Sequence, residues 1–151
     1  MVWQNTPMNS VPSFTVRQRW LVVDDQPDLS ELMADVLAGL DCASVENFTD
    51  PSAAFDACTE RAEGFDLVVT DRDMPGINGL ELARRIHAQS PNTKLLLVTA
   101  TASDVTSTDL VDTGISAVLS KPFPLNRLEE AVRAIAIASA PAKAPSLHRA
   151  A

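Results

Sequence analysis

Five short apolar runs punctuate the chain: Trp20–Val23, Cys42–Val45, Leu67–Thr70, Leu95–Val98 and Ile115–Leu119. Three of them are nearly all apolar, the pattern of central strands covered on both faces. Ser44 breaks the second run and Ser116 the fifth, which suits strands at the edges of a sheet. Helical spacing fills the gaps. Leu29, Leu32, Met33, Val36, Leu37 and Leu40 recur at i, i+3, i+4, i+7, i+8 and i+11. Ala53, Ala54, Ala57 and Cys58 form a second stripe of small residues, Ile77, Leu80, Ala83 and Ile86 a third, and Leu125, Leu128, Val132 and Ile135 a last one. Pro27 and Pro51 suit helix starts, with Asp50 as a candidate N-cap. Gly39, Gly64 and Gly114 each lie near a helix end, shortly before a strand. The segment after Thr99 is the weak one. Ser103, Asp104, Thr106, Ser107, Thr108 and Thr113 give it little helix propensity, and only Val105, Leu110 and Val111 can hold it down.

Strand and helix patterns thus alternate five times. Strand–helix–strand units give parallel sheets with right-handed crossovers, so the expected fold is a doubly wound α/β (βα)5 domain. Residues 1–18 and 139–151 lack periodicity and are expected to be loose tails around a domain at 19–138. The 151 residues suffice for one domain with one sizeable core. No output domain is expected after the last helix, only a short Ala/Pro tail.

Composition narrows the function classes. A net charge of −8 opposes direct binding to a phosphate backbone, so no direct nucleic-acid contact is expected. No apolar run approaches the roughly 18 residues of a membrane span, and residues 1–16 lack the apolar core of a signal peptide, so a cytoplasmic protein without membrane contact is expected. Cys42 and Cys58 form no CxxC or Cys/His cluster and read as small apolar residues in a reducing compartment. His87 is isolated and is placed on a helix surface; His148 falls in the tail.

In such a sheet a ligand lies outside the carboxyl ends of the strands. Those ends carry Asp24-Asp25 after the first strand, Asp71-Arg72-Asp73 after the third, Thr99 after the fourth and Lys121-Pro122-Phe123 after the fifth. Two carboxylates about 4 Å apart repel by roughly 4 kcal/mol at an effective dielectric near 20, so either a proton or a cation must enter. All-oxygen ligands suit Mg²⁺. A carboxylate can itself attack phosphorus. A metal and Lys121 would then neutralise charge on the transferred group, and Thr99 could hydrogen-bond one of its oxygens. Taken singly, each residue also has an ordinary explanation: Asp24-Asp25 as caps of the helix at Pro27, Thr99 as a strand-end hydroxyl, Lys121 as a solvated lysine. Their joint occurrence at four strand ends favours chemistry.

The order Leu-Val-Val-Asp-Asp, Val-Val-Thr-Asp-Arg-Asp-Met-Pro-Gly-Ile-Asn-Gly, Leu-Val-Thr-Ala and Ser-Lys-Pro-Phe resembles the receiver domain of two-component response regulators, over about residues 18–138. The resemblance implies a flavodoxin-like fold, a five-stranded parallel sheet in the order 2-1-3-4-5 flanked by five helices. It implies that Asp71 is the phospho-acceptor and that Asp25 ligates Mg²⁺ directly while Asp24 orients the metal's waters. Asp71 and the backbone carbonyl of Asp73 complete the metal set, Thr99 is the switch hydroxyl, and Lys121 the active-site ammonium. Pro75 and Gly79 shape the loop after the acceptor. The implied donor is a histidine of a sensor kinase or phosphotransfer protein, acting on a monomer or weak homodimer that signals to a further protein target.

Two features depart from the family or qualify it. The position three before Lys121, an aromatic switch partner in the family, is Val118, and the chain holds no Tyr. Asp73 stands where side chains tune phosphoryl lifetime. Three other readings remain open on sequence. A haloacid dehalogenase-type phosphatase would use Asp71 and Asp73 but needs an acidic metal pair after the lysine, where only Glu129 and Glu130 occur. A nucleotide or flavin module needs a glycine-rich first turn, but this one is Asp24-Asp25-Gln26-Pro27. A receiver-like binding module that is never phosphorylated would fit the altered position at Val118.

Overall fold

The computed structural model describes residues 17–40, 43–61 and 64–135. Five strands form one parallel sheet: β1 Gln18–Val23, β2 Ala43–Phe48, β3 Leu67–Asp71, β4 Lys94–Thr99 and β5 Ala117–Ser120. Their spatial order is 2-1-3-4-5, so the two Ser-interrupted runs are the edges. The helices are α1 Pro27–Ala38, α2 Pro51–Glu60, α3 Gly79–Gln89, α4 Ser107–Thr113 and α5 over 125–135, with a 3₁₀ turn at Ala102–Asp104.

Strand alternation divides the core into two layers. Trp20, Val22, Leu67, Val69, Leu96 and Val98 point to one face, where Met33 and Leu37 of α1 and Leu128 and Val132 of α5 cover them. Leu21, Val23, Val68, Leu95 and Leu97 point to the other face, against Ala54 and Cys58 of α2 and Leu82 and Ile86 of α3. β1, β3 and β4 are apolar on both faces because both faces are covered. Each of these fully buried Leu and Val side chains contributes about 1.5–3 kcal/mol relative to exposure.

Several boundaries differ from the sequence expectation. Gln18, read as the last tail residue, opens β1 because it pairs with Ala43 at the start of β2, and its side-chain Oε1 accepts a 2.7 Å hydrogen bond from the buried Trp20 Nε1. β2 continues through Glu46 and Asn47 to Phe48, polar positions that an edge strand tolerates. β5 starts at Ala117 rather than Ile115; Ser116 N–H already donates to Leu95 O, so the run's first two residues lead into the strand. Leu32, placed in the α1 stripe, is exposed, since one residue step is about 100° around a helix and Met33 holds the centre of the buried face. His87 is half-buried rather than on the surface, because it packs against Gly114, where α4 ends in a left-handed turn at φ 72°. Asp50 caps α2 through a hydrogen bond from Ser52 N–H. Cys58 is buried, and burial, with Glu46 nearby, pushes its thiol up to about 11. Cys42, His148, residues 1–16 of the expected N-terminal tail, residues 136–138 of the expected domain and the whole expected tail at 139–151 lie outside the described residues.

Among the described residues, no helix is long and apolar enough to cross a membrane.

Candidate functional site

The register places four strand ends at one rim. Thr70 and Asp71 of β3 pair with Leu97 and Val98 of β4, and Thr99 pairs with Ser120, immediately before Lys121. Asp71 therefore sits at the centre of the sheet, with Asp24 on one side and Lys121 on the other. Chain exits hold it there. Arg72 N–H donates to Val98 O at 2.9 Å, and Lys121 N–H to Thr99 O at 2.8 Å. The Lys121–Pro122 peptide is cis. Gly79 N–H donates to Arg72 O at 2.8 Å, which brings the start of α3 against the end of β3. A Cβ on Gly79 would strike the Asp71 carbonyl and lie 2.8 Å from Arg72 Cα, so only glycine lets the two backbones approach this closely.

Ligand atoms of Asp24, Asp25 and Asp71 lie within 4.8 Å of one another. Asp24 is fully buried and Asp71 is nearly so. Asp24 is not a helix cap: the N-cap of α1 is Gln26, and Asp24 Oδ1 accepts a 2.9 Å hydrogen bond from Gln26 N–H in a tight turn. Lys121 Nζ donates to Asp71 Oδ1 at 2.8 Å and lies 3.5 Å from Asp24 Oδ2. The second approach is close enough for attraction but lacks hydrogen-bond geometry, so Asp24 Oδ2 is a buried oxygen without a hydrogen-bond partner. Burial raises the Asp24 carboxyl above its ordinary value, against the opposing Gln26 amide and Lys121. Burial raises Asp71 as well, with Lys121 opposing and Asp24 and Asp25 adding to the shift. Burial works to lower the Lys121 ammonium, but Asp71 and Asp24 outweigh it and hold it above its usual value. One ammonium thus serves two buried carboxyl groups, with Asp25 beside them.

Thr99 is buried at the end of β4, but its hydroxyl faces its own loop. Thr101 N–H donates to Thr99 Oγ1 at 3.0 Å, and the two threonine hydroxyls are 3.3 Å apart. Asp73 is exposed and its side chain stands outside the carboxylate trio, so a contribution from it would come from the backbone carbonyl that the resemblance invokes. Val118 is half-buried against the α3 side of the core, paired with Leu97. Glu129 and Glu130 lie on α5 and do not join the trio. Sequence reasoning passed over Arg72 and Thr101. Arg72 Nη1 donates to Thr101 Oγ1 at 2.9 Å. The signal was available: one residue directly follows the acceptor candidate, and the other stands two after Thr99.

Residues 20–133 match the family described as response regulator receiver domain. Among curated relatives, the chain is 35% identical over 118 residues to the response regulator protein PilR of Pseudomonas aeruginosa, covering 77% of this chain and 25% of that protein. It is 36% identical over 122 residues to the DNA-binding response regulator MtrA of Mycolicibacterium smegmatis, covering 80% and 51%. It is 32% identical over 124 residues to the response regulator receiver protein CpdR of Brucella abortus, covering 81% and 99%. The chain therefore spans a quarter to a half of the first two relatives and nearly all of the third. Among solved structures, the chemotaxis protein CheY4 of Vibrio cholerae shares the fold, with a TM-score of 0.71 at 23% identity over 80% of this chain and 99% of that one. The response regulator TrrA of Thermotoga maritima, solved in complex with Mg(2+)-BeF, has a TM-score of 0.68 at 28% identity, over 78% and 98%. The chain belongs to the response regulator receiver domain family, whose members are phosphorylation-dependent signalling proteins rather than metabolic enzymes.

Proposed function

We propose that Asp71 accepts a phosphoryl group from a phosphohistidine of a sensor kinase or phosphotransfer protein, and that this chain is the receiving switch. The observation that carries the reading is the Asp24–Asp25–Asp71 trio with Lys121 Nζ 2.8 Å from the central carboxylate. In the transfer, an Asp71 oxygen attacks phosphorus, the P–O bond forms, and the P–N bond to the donor imidazole breaks. Lys121 favours the ionised, nucleophilic form of Asp71 against its burial, then pairs with the incoming phosphoryl oxygens. Thr99, once turned from its loop, donates to another of those oxygens.

The donor set suits a hard divalent cation: all ligands are oxygens, two of the three carboxyls are buried, and Asp24 Oδ2 has no hydrogen-bond partner. Asp24, Asp25, Asp71 and the Asp73 carbonyl would hold Mg²⁺, which when bound neutralises the carboxylates and the charge of the transferred group. The solved complex of TrrA with Mg(2+)-BeF supports Mg²⁺ as the cation here. Nothing comparable favours the dehalogenase-type alternative, because its required acidic pair after the lysine falls on α5 at Glu129 and Glu130. DNA binding belongs to the name of MtrA, a protein about twice as long as the matched region; the net charge of −8 argues against it here. A downstream protein and a monomer or weak homodimer complete the reading.

Incubation with acetyl phosphate, resolved on a phosphate-affinity gel, tests it. Wild type should shift with Mg²⁺ and not with EDTA, and Asp71→Asn should not shift. A wild type that folds but never shifts, with acetyl phosphate or a cognate kinase, supports a receiver-like binding module instead.

A further inference from the structure

We propose that Arg72 is a positioning residue of this switch: through Thr101 it holds the Thr99 hydroxyl against its own loop, and this hold must be released before Thr99 can serve a phosphorylated Asp71. The inference rests on the roles read above for Asp71 and Thr99.

Arg72 is fixed at its backbone from both sides, by Val98 O and by Gly79 N–H. Its guanidinium can only donate, so Thr101 Oγ1 is the acceptor of their 2.9 Å bond. Thr101 then meets Thr99 Oγ1 twice, through its amide at 3.0 Å and its hydroxyl at 3.3 Å. Whichever hydroxyl carries the proton between them, rotating Thr99 toward the acceptor breaks both contacts. Among the described residues no hydrogen bond joins Thr99 Oγ1 to Asp71 or Lys121. The resting protein therefore holds the switch hydroxyl off the acceptor by a three-residue chain that begins one residue from the acceptor itself.

The same arginine faces α4. Thr106 and Asp109 close a capping box at the start of that helix. The Asp109 carboxyl is held below the usual range first by its bonds to Thr106, with Arg72 and Arg84 adding attraction. Loss of the Arg72–Thr101 bond thus frees the loop that leads into α4 and lets the guanidinium redistribute toward Asp109. This gives the domain a route from Asp71 to α4 that needs no aromatic ring at Val118.

The test is the affinity for beryllium fluoride with saturating Mg²⁺, measured by fluoride NMR or calorimetry. If a hydrogen bond at a partly exposed site opposes the active arrangement, Arg72→Met should bind about three- to tenfold tighter than wild type. In a Thr101→Val background Arg72→Met should add nothing, and Thr101→Ser, which keeps the hydroxyl, should match wild type. Without the probe, Arg72→Met should move the Thr99 methyl resonance and leave that of Thr93, at the opposite end of β4, in place. Weaker or unchanged binding by a folded Arg72→Met overturns the proposal and assigns the arginine to attracting the anion or to the surface. A folded wild type that binds no beryllium fluoride overturns the reading of Asp71 itself.

Discussion

Replacing Asp24 by Asn should stabilise the metal-free protein and abolish most of its stabilisation by Mg²⁺. Asp24 is fully buried, and its carboxylate lies within 4.8 Å of those of Asp71 and Asp25. Each such repulsion amounts to roughly 3.5 kcal/mol at an effective dielectric near 20. The compensating attraction to Lys121 at 3.5 Å is roughly 5 kcal/mol on the same basis. Asn keeps the oxygen that accepts from Gln26 N–H, loses both repulsions and the one attraction, and no longer has to be desolvated as an anion. The balance favours the variant by about 2 kcal/mol. Its sign depends on pH. Asp24 and Asp71 are both raised from the ordinary 3.8, so the folded apo protein keeps protons that the unfolded chain has released. Apo wild-type stability should therefore fall as pH rises from about that value until both native carboxyls ionise, and Asp24→Asn should flatten the decline. With Mg²⁺ at about a hundred times its Kd the wild type regains roughly 2.7 kcal/mol and the variant little of it. Urea unfolding at neutral pH, in EDTA and then in Mg²⁺, measures all of this. A variant less stable than wild type in EDTA would refute the reasoning, since the Lys121 pairing would then outweigh the carboxylate repulsion.

Three further outcomes follow from the geometry. Gly79→Ala should cost about 2–3 kcal/mol in urea unfolding, because its new methyl meets the backbone of Asp71 and Arg72, which cannot yield as a side chain could; a cost below about half a kcal/mol would mean that the approach is looser than described. Amide exchange with and without beryllium fluoride should change most between Thr101 and Thr113, where Val111 is exposed and α4 has few apolar anchors; a response confined to the surroundings of Lys121 and to α5 would rule that route out. Cys58, buried with its thiol pushed up to about 11, should react with iodoacetamide in the native state only at the rate of unfolding; prompt native-state alkylation at Cys58 would contradict its packing.

Much of this was legible in the chain because the information is local. Apolar runs without alternation at Trp20–Val23, Leu67–Thr70 and Leu95–Val98, alternating with helical spacing, read as strands covered on both faces, whereas the order of the strands in the sheet came from the resemblance to receiver domains. Pro27, Pro51 and Asp50 mark helix starts by their own stereochemistry. Asp24, Asp25, Asp71 and Lys121 were legible because parallel strands bring their carboxyl ends together, so position along the chain reports position at the rim. What the sequence concealed depends on side-chain direction across elements. Leu32 has helical spacing yet faces out, and His87 is half-buried with Gly114 of a later turn against its ring. Thr99 occupies the expected strand end, but the direction of its hydroxyl is set by Thr101 and Arg72, and no periodicity encodes that bond.

The central claim is that the phosphoryl group resides on Asp71. Borohydride reduces an aspartyl phosphate to homoserine, so tandem mass spectrometry of the protein after treatment with acetyl phosphate and Mg²⁺ reports the modified position directly. Homoserine at position 71, dependent on Mg²⁺ and on phosphorylation, is the predicted result; homoserine at Asp24, Asp25 or Asp73 with Asp71 intact would contradict it.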